Sequence, residues 1–520
     1  MGVVDLWKLI ADSEKKYSLE QLSNWTEIKK ERGLRVAIDV ALWTFQARAS
    51  VVGDSSELRS VFFRFCRLYE LGIRPVFVFD GPNRPKKKRN KIIQTMPFET
   101  TFGRGLKGLI RLFNFSMWEA YGEAEAECAM LERLGYVDMV FTGDSDVLLF
   151  GARRVVRHWP SKRNEPLSCY DQTWITDMTG WDRSDLILVA LLRGCDYDTS
   201  GTRGVGIGLS GQLAKCHFHR ALMDDIQRFG RETPLDEERV QHLFDSLTYE
   251  LHNNSTKNLN RRRNVDLDAK FFDFSIVQDF IHPKTNIGIA KDEGLMTAAK
   301  ELEANLDRRH EPDWVNLAAF AQLQFKWPAD YVLKRFSALL YPGYMVNSLR
   351  SRRIPTVPIH PLRTSSSVSN SQRSHVDRKQ RTLDEFYRAT PRLHQMSEKG
   401  SDLVQISGSK IASDNIKLYR VEWDKSSWET FQNRLKLKLD FQAFHHDVVI
   451  DDDDDEAVEC GETVKTDPFL VVKRQWVDAA QIHRIYPAAA LKYQNRPKKS
   501  VTARQSMVDS FLVLPPKRRK

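Results

Sequence analysis

The 520-residue sequence is poor in cysteine, and its six cysteines (Cys66, Cys128, Cys169, Cys195, Cys216, Cys460) are scattered, with no CxxC pair and no Cys/His cluster. That spacing argues against a zinc module or a disulfide framework and suits a reducing compartment. Long apolar runs are also missing. The longest, Leu186 to Leu192, is seven residues, far short of the roughly 20 that cross a bilayer. The opening MGVVDLWKLIADSEKK has no basic segment followed by a long apolar one, so no secretory signal is expected. Its Met-Gly start carries Leu6 where a myristoylation signal has Ser or Thr. No internal repeat is found. Secreted, membrane and disulfide-stapled classes are set aside, and no membrane partner is expected.

What the chain does have is positive charge: 79 Lys and Arg against 69 Asp and Glu, a formal net charge of +10. Such a surplus suits a polyanionic partner, nucleic acid first. At roughly 100–200 residues per domain, the length points to two to four domains. A hydrophobic content of 41% with 28% charged residues leaves room for linkers or tails beside the cores.

Up to about residue 215, β-rich runs alternate with amphipathic stretches, an α/β pattern. Strands are predicted at Leu34–Ile38, Pro75–Phe79, Asp138–Thr142 and Arg154–His158, and helices at Ser56–Glu70, Gly105–Phe113, Glu123–Leu134 and Arg183–Leu192. From about 210 to 345 the pattern is mainly helical, broken by a basic loop with Lys257 and Arg261–Arg263. Thr364–Arg381 is Ser-rich and aromatic-free and reads as disordered. Order is expected to return around Ile416–Trp423 and Phe469–Gln494, on either side of the acidic block Asp451–Glu456.

The chemistry lies in the carboxylates. Three predicted strands end in an acid: VAI-Asp39, VFVF-Asp80, and VFTG-Asp144 followed by Asp146. In an open α/β sheet, ligands bind outside the carboxyl ends of the strands, so these acids should face one crevice. Glu123 and Glu125, at the start of a predicted helix, and Asp196, after the apolar run, add to the set. The i,i+2 glutamates point apart within a helix but can converge where its first turn is still forming. Taken singly, an Asp after a strand is most simply a turn residue or a helix N-cap. Taken together, seven acids in one crevice repel each other unless divalent cations neutralise them, and hard oxygen ligands suit Mg²⁺ or Mn²⁺. Two such ions can activate water and stabilise the leaving oxygen of a phosphodiester.

MGVVDLW, VAIDVALW, PVFVFDGP, YGEAEAECA, TGDSDVLLFG, LLRGCDY and GVGIG, in that order, resemble the flap endonuclease/XPG superfamily of structure-specific nucleases over about residues 1–345. The resemblance implies an α/β nuclease core, a PIN-like sheet with helices on both faces. A helix-two-turns-helix and a helical extension would follow it. It also implies metal ligation and catalysis by Asp39, Asp80, Glu123, Glu125, Asp144, Asp146 and Asp196. Two departures stand beside the ligands: Tyr121 for the usual Pro, and Gly143 for the usual acid.

Arg84–Lys91 packs six basic residues directly after Asp80. Alone it reads as a solvated face or an import signal. In the family the matching segment reaches the scissile phosphate, so Lys86, Lys87, Lys88 and Arg89 become candidate DNA contacts. Spacing from Asp80 fits Lys87 best as the catalytic lysine, with the register among Lys86–Lys88 left open. Gly204, Gly206 and Gly208 resemble the helix-two-turns-helix turn, whose backbone N–H groups hold a duplex phosphate, with K⁺ as a further ion. Basic residues usually follow that turn, and here Leu209-Ser-Gly-Gln212 does. Arg261, Arg262 and Arg263 read either as a grip on a second DNA arm or as a plain solvated loop.

Only 42 positions separate Asp80 from Glu123, a short connection that resembles the Holliday-junction resolvase branch (the Gen/Yen type). Residues 354–362, 418–425 and 476–494 resemble that branch's chromodomain, a small β-rich module. Its aromatics Tyr419, Trp423 and Trp476 read as a methyl-lysine cage or, more simply, as packing. The expected organisation follows. Residues 1–95 and 96–200 form the two parts of the nuclease core, and 201–345 the helix-two-turns-helix and helical DNA-binding region. A chromodomain-like module spans 350–495, interrupted by disordered insertions 363–414 and 440–467, and 496–520 is a disordered basic tail.

The function implied is a nuclear, Mg²⁺-dependent endonuclease that resolves four-way junctions by paired symmetric nicks, in recombination and DNA repair. It would hold two metals per site, with Mn²⁺ able to substitute, and would be monomeric when free and a homodimer on the junction. A monomeric 5′-flap endonuclease is the alternative, and a non-catalytic junction or chromatin scaffold a third reading. Residues 380–387 and 505–512 resemble sliding-clamp boxes, and 448–456 a SUMO-interacting motif. Each reads equally as ordinary solvated chain.

Overall fold

The computed structural model describes residues 2–30, 32–41, 56–85, 87–88, 91–92, 101–160, 165–231, 236–267, 271–286, 293–308, 311–351, 402–412, 416–444 and 468–496. They fall in two compact units, one drawn from 1–347 and 431–466, the other from 348–430 and 467–520. The segments 354–362, 380–387, 448–456 and 505–512 lie outside the described residues, as do Lys86 and Arg89.

The first unit is built on a seven-stranded sheet, ordered β1-β9-β8-β7-β2-β3-β6. Its centre is β2 (Arg35–Asp39), paired in parallel with β3 (Arg74–Phe79) and β7 (Met139–Phe141). β6 (Ser116–Glu119) extends the parallel set beyond β3, and β8 (Arg154–Arg157) extends it beyond β7. β9 (Leu167–Asp171) and β1 (Lys15–Tyr17) close the far edge antiparallel. Every residue of β2 is buried, which explains its nearly continuous apolar run: a central parallel strand is covered on both faces. The predicted helix Ser56–Glu70 is found with those bounds. Its Phe62 packs against Phe113, Phe325, Trp327 and Phe336. β1, β6 and β9 were not anticipated. They are short, polar or edge-placed, so neither a buried run nor a clean alternation marks them.

Helices Arg183–Arg193, Ile207–Ala214, Arg220–Phe229 and Glu237–Asn253 follow the sheet. The first begins with a capping box between Asp182 and Asp185. Asp185 is fully buried, and besides the Asp182 N–H its carboxylate takes hydrogen bonds from His217 Nδ1 at 2.9 Å and Arg220 at 2.5 Å, with His219 Nε2 at 3.2 Å. Burial works against its ionisation, but the His219 and Arg220 hydrogen bonds outweigh it and hold the carboxyl well below the usual range. Asp185→Asn should therefore cost about 3–5 kcal/mol at pH 7, as expected for breaking a buried charged pair. Because the folded-state pKa is depressed, the benefit exists above the unfolded value near 4 and is lost as pH falls through the folded one. Urea unfolding at pH 7 and pH 3.5 should show the gap between wild type and variant narrowing. A gap that widens would refute this account.

The second unit contains an antiparallel sheet of β10 (Leu403–Ile411), β11 (Lys417–Trp423) and β12 (Arg474–Asp478). Helices Ala479–Ile485 and Pro487–Gln494 follow it. The nine-residue β10 lies inside the stretch 363–414 expected to be a disordered insertion, which corrects that boundary. Its mostly exposed residues explain the misreading, because its stability comes from backbone pairing with β11 rather than from burial. Residues 440–444 were likewise assigned to an insertion, yet Asp440 N–H donates to the Gln322 amide oxygen at 2.9 Å within the first unit. Tyr419 and Trp423 are sealed in the core, where Tyr419 Oη meets His483 Nε2 at 3.0 Å and Trp423 donates to Gln475 at 3.0 Å. Trp476 pairs in register with Arg420 and is 39% exposed, with Lys410 Nζ 4.5 Å above its ring. The three aromatics do not line one cavity, so packing describes Tyr419 and Trp423.

Candidate metal and nucleic-acid site

Four parallel strands deliver acids to one end of the sheet. Asp39 is the last residue of β2, Asp80 follows β3, Glu123 lies four residues past β6, and Asp144 three past β7. Asp146 and Asp196, like Asp39, Glu123, Glu125 and Asp144, are buried.

Glu123 is the N-cap of helix Ala124–Arg133, in extended backbone with φ −87° and ψ 136°. Because helical geometry starts only after it, Glu123 and Glu125 reach the same cation: Lys88 Nζ pairs with Glu123 Oε1 and lies 2.7 Å from Glu125 Oε1. Tyr197 Oη donates to the other oxygen of Glu123. Asp80 is held from both sides, by the Arg84 guanidinium at 2.7 Å and by the Ala124 N–H at 3.0 Å. The latter contact places a negative charge against the positive end of a helix.

Asp144 and Asp146 form a tight pair, with the Asp146 N–H donating to Asp144 Oδ1 at 3.1 Å. The N-terminal segment closes over them. Val3 N–H donates to Asp146 Oδ1 at 3.0 Å, and the Trp7 indole donates to the Gly143 carbonyl at 3.0 Å. Gly2 has φ +76°, and a Cβ there would overlap the Asp144 and Asp146 carboxylates and the Ser145 hydroxyl.

Crowding raises most of these acids. Burial, then the Glu125 charge, pushes Glu123 up to about 7 against the pull of Lys88 and Tyr197. Burial and Glu125 likewise lift Asp144 to about 6. Asp146 stands well above the usual range through burial and its neighbours Asp144 and Asp196, and Asp80 is raised by burial and Glu125. Glu125 goes the other way: burial opposes its ionisation, but the charge and hydrogen bond of Lys88 outweigh it. Lys88 is held well above its ordinary value, because Glu125, Glu123 and Asp144 overcome its own burial.

Among the described residues, no three of these acids close into a ready-made metal cage. The donor set nevertheless fits hard divalent cations. It offers oxygen ligands only, and more carboxylate than the contacting cations Lys88 and Arg84 balance.

Of the basic run Arg84–Lys91, Arg84 reaches Asp80 and Lys88 reaches Glu123 and Glu125. Lys87 precedes Lys88 in the two-residue strand β4 (Lys87–Lys88), which pairs with β5 (Lys91–Ile92), and its side chain is outside the described set. Sequence reasoning missed Gly2, Val3, Trp7 and Tyr197. The first three stood in a motif noted only for its likeness, and Tyr197 adjoins Asp196 in a quoted motif.

The turn preceding Ile207–Ala214 places Gly204 at φ +84°, which favours glycine, and Gly206 at the N-cap. Nothing approaches within 4 Å of a Cβ built at Gly206 or Gly208, leaving the helix start open. Arg261 and Arg262 are exposed and Arg263 half-buried. Gly211 packs on Trp181, whose ring carbons lie 3.0–3.1 Å from a Cβ at that position, so packing accounts for a small residue there.

Comparison with known proteins gives consistent findings. Residues 1–95 match the XPG N-terminal domain and 114–196 the XPG I-region. The chain is similar to Flap endonuclease GEN-like 1 of Arabidopsis thaliana, at 31% identity over 224 residues covering 38% of this chain and 37% of that protein. It is also similar to Flap endonuclease GEN homolog 1 of Homo sapiens, at 29% over 255 residues, 44% of this chain and 26% of that protein. The matched region thus spans 26–37% of the length of these relatives. Among solved structures, a eukaryotic junction-resolving enzyme GEN-1 binding cesium aligns with TM-score 0.67 and 25% identity over 95% of this chain and 99% of that one. The Holliday junction-resolving enzyme GEN1 in complex with product DNA and Mg²⁺ shares the fold, with TM-score 0.65, 24% identity and the same coverage of each chain.

Proposed function

Because its nuclease core belongs to the flap endonuclease/XPG superfamily, we propose that this protein is a Mg²⁺-dependent, structure-specific DNA endonuclease that resolves four-way junctions. The observation that carries the proposal is the convergence of Glu123 and Glu125 on Lys88 at the end of the sheet where Asp39, Asp80 and Asp144 also emerge. A crevice of acids with one embedded lysine suits a phosphodiester, which needs cations at its oxygens and an activated water.

In this reading Asp39, Asp80, Glu123, Glu125, Asp144, Asp146 and Asp196 hold two Mg²⁺ ions, directly or through water, and Mn²⁺ substitutes. The ions supply a water of lowered pKa and positive charge at the leaving oxygen. Tyr197 fixes the Glu123 carboxylate, Arg84 fixes Asp80, and the Val3 N–H fixes Asp146. Lys88, already beside the acids, is the side chain placed to stabilise charge on the phosphate. The open helix start at 206–208 takes a duplex phosphate, with K⁺ beside it, and Arg261–Arg263 take a neighbouring backbone.

We read the second unit as chromodomain-like, since a three-stranded antiparallel sheet is followed by the helices Ala479–Ile485 and Pro487–Gln494. Action as a homodimer on the junction, nuclear localisation, and clamp or SUMO binding through 380–387, 505–512 and 448–456 belong to the same proposal.

The test uses purified protein, Mg²⁺ and a plasmid that extrudes a cruciform. Linear product is expected, because paired nicks within one complex cut both strands. Nicked circles alone would favour the monomeric flap endonuclease, and no cleavage of any branched DNA would overturn the nuclease assignment.

A further inference from the structure

We propose that Glu250 is a positioning residue for DNA binding: its buried carboxylate shapes the loop that presents Arg261, Arg262 and Arg263 alongside the helix-two-turns-helix turn. The inference rests on the reading of that turn as a phosphate site.

Glu250 lies in the last turn of helix Glu237–Asn253 and is fully buried. Its carboxylate takes hydrogen bonds from the backbone and hydroxyl of Ser255 and of Thr256, with the Ser255 N–H at 3.0 Å and the Thr256 hydroxyl at 2.7 Å. A carboxylate that accepts four hydrogen bonds ties the loop to the helix end, because any other arrangement forfeits charge-assisted bonds. The chain turns sharply at that point, with Asn254 at φ +50° and Lys257 at φ +61°. Asn254 then clasps Leu259 in both directions, at 3.0 Å and 2.7 Å.

From there the loop runs back along helix Ile207–Ala214. Asn258 donates to the Lys215 carbonyl at 3.2 Å, and the Asn260 N–H to the Gln212 side chain at 3.0 Å. At the other end, Val265 touches Gly204, 3.4 Å from where its Cβ would lie. The three arginines lie between these anchors, so the loop spans from beyond the helix to the turn before it. The helix is eight residues long, about 12 Å, which matches the roughly 12 Å width of the major groove of B-DNA. Because Val265 carries the loop to Gly204 just after the arginines, a phosphate at the turn and others beside the arginines can belong to one duplex. This loop also supplies the cations that Leu209–Gln212 lacks.

The test compares wild type with Glu250→Gln, Ser255→Ala/Thr256→Ala and Arg261→Ala/Arg262→Ala/Arg263→Ala. A fluorescently labelled four-way junction and a plain duplex are titrated without Mg²⁺ from 50 to 250 mM KCl. Each phosphate contact contributes roughly 0.9 to the slope of log affinity against log salt. The arginine variant should lose about 2 or more of that slope and bind about tenfold more weakly at 150 mM salt. Glu250→Gln should reproduce most of that loss, and the hydroxyl variant part of it. A lowered melting temperature with an unchanged slope in Glu250→Gln would make the residue merely structural and overturn the proposal. An unchanged slope in the arginine variant would overturn it too, by removing the loop from the interface. Both readouts are binding, so they fail or succeed separately from the cleavage assay.

Discussion

Asp39→Asn is expected to abolish cleavage of a four-way junction while leaving junction binding intact. The residue is buried at the carboxyl end of the central strand, where its carboxylate accepts a hydrogen bond from the Ala41 N–H at 3.0 Å. Asparagine has nearly the same shape and can still accept that hydrogen bond, so the fold has little reason to change. What disappears is one negative charge from a cluster that is already short of cations. Removing an acid relieves repulsion and should, if anything, stabilise the protein in the absence of metal. Catalysis depends on the opposite balance, because a bound divalent ion is worth several kcal/mol of transition-state stabilisation, and about 1.4 kcal/mol is tenfold in rate. A fall of about 10³-fold or more in single-turnover cleavage is expected, with gel-shift affinity within about twofold. Full activity in the variant would sink the metal-site assignment.

Gly2→Ala should be nearly as damaging, although it adds a single methyl group to a residue that performs no chemistry. Gly2 sits at φ +76°, where an L side chain is strained by about 1–2 kcal/mol on its own. The larger effect is steric. The new Cβ would fall on the Asp144 and Asp146 carboxylates and the Ser145 hydroxyl. None of these can retreat easily, because Asp144 and Asp146 are buried and cross-linked through the Asp146 N–H and Val3 N–H. Either the N-terminal segment lifts away or the acids shift, and a displacement near 1 Å in a catalytic constellation can cost about 10²-fold. Single-turnover cleavage with the melting temperature alongside measures both consequences. If Gly2→Ala cleaves at the wild-type rate, the segment is not a wall of the site.

How much of this was legible in the sequence depends on the scale of the feature. The central strands were plain because burial on both faces leaves a dense apolar signature, and each is followed within a few residues by its acid. Convergence of Glu123 and Glu125 was legible too, from the position of the pair at a helix start. The contact of Lys88 with Glu123 and Glu125 was not singled out, because the register of a two-residue strand leaves no mark on composition. The covering role of Gly2 and Val3 was hidden for another reason: their partners lie more than 140 residues away, and only the closed sheet brings them together. β10 left no buried apolar run to read, because only Leu403 and Ile406 are buried while Val404 and Ile411 face solvent, and its order comes from backbone hydrogen bonds to β11.

The pairing of β2 with β7 has a consequence for how the protein comes into being. Asp39 emerges from the ribosome long before Asp196, and at about 5–20 residues per second the interval between them is about 8 to 30 s. Until Phe141 has been made the central strand cannot complete its pairing with β7, and Asp196 is missing until the interval ends. A chain that stops before Asp196 therefore carries an incomplete set of acids. The distance between the parts along the chain acts as a timer, completing the acid cluster only when Asp196 has been synthesised.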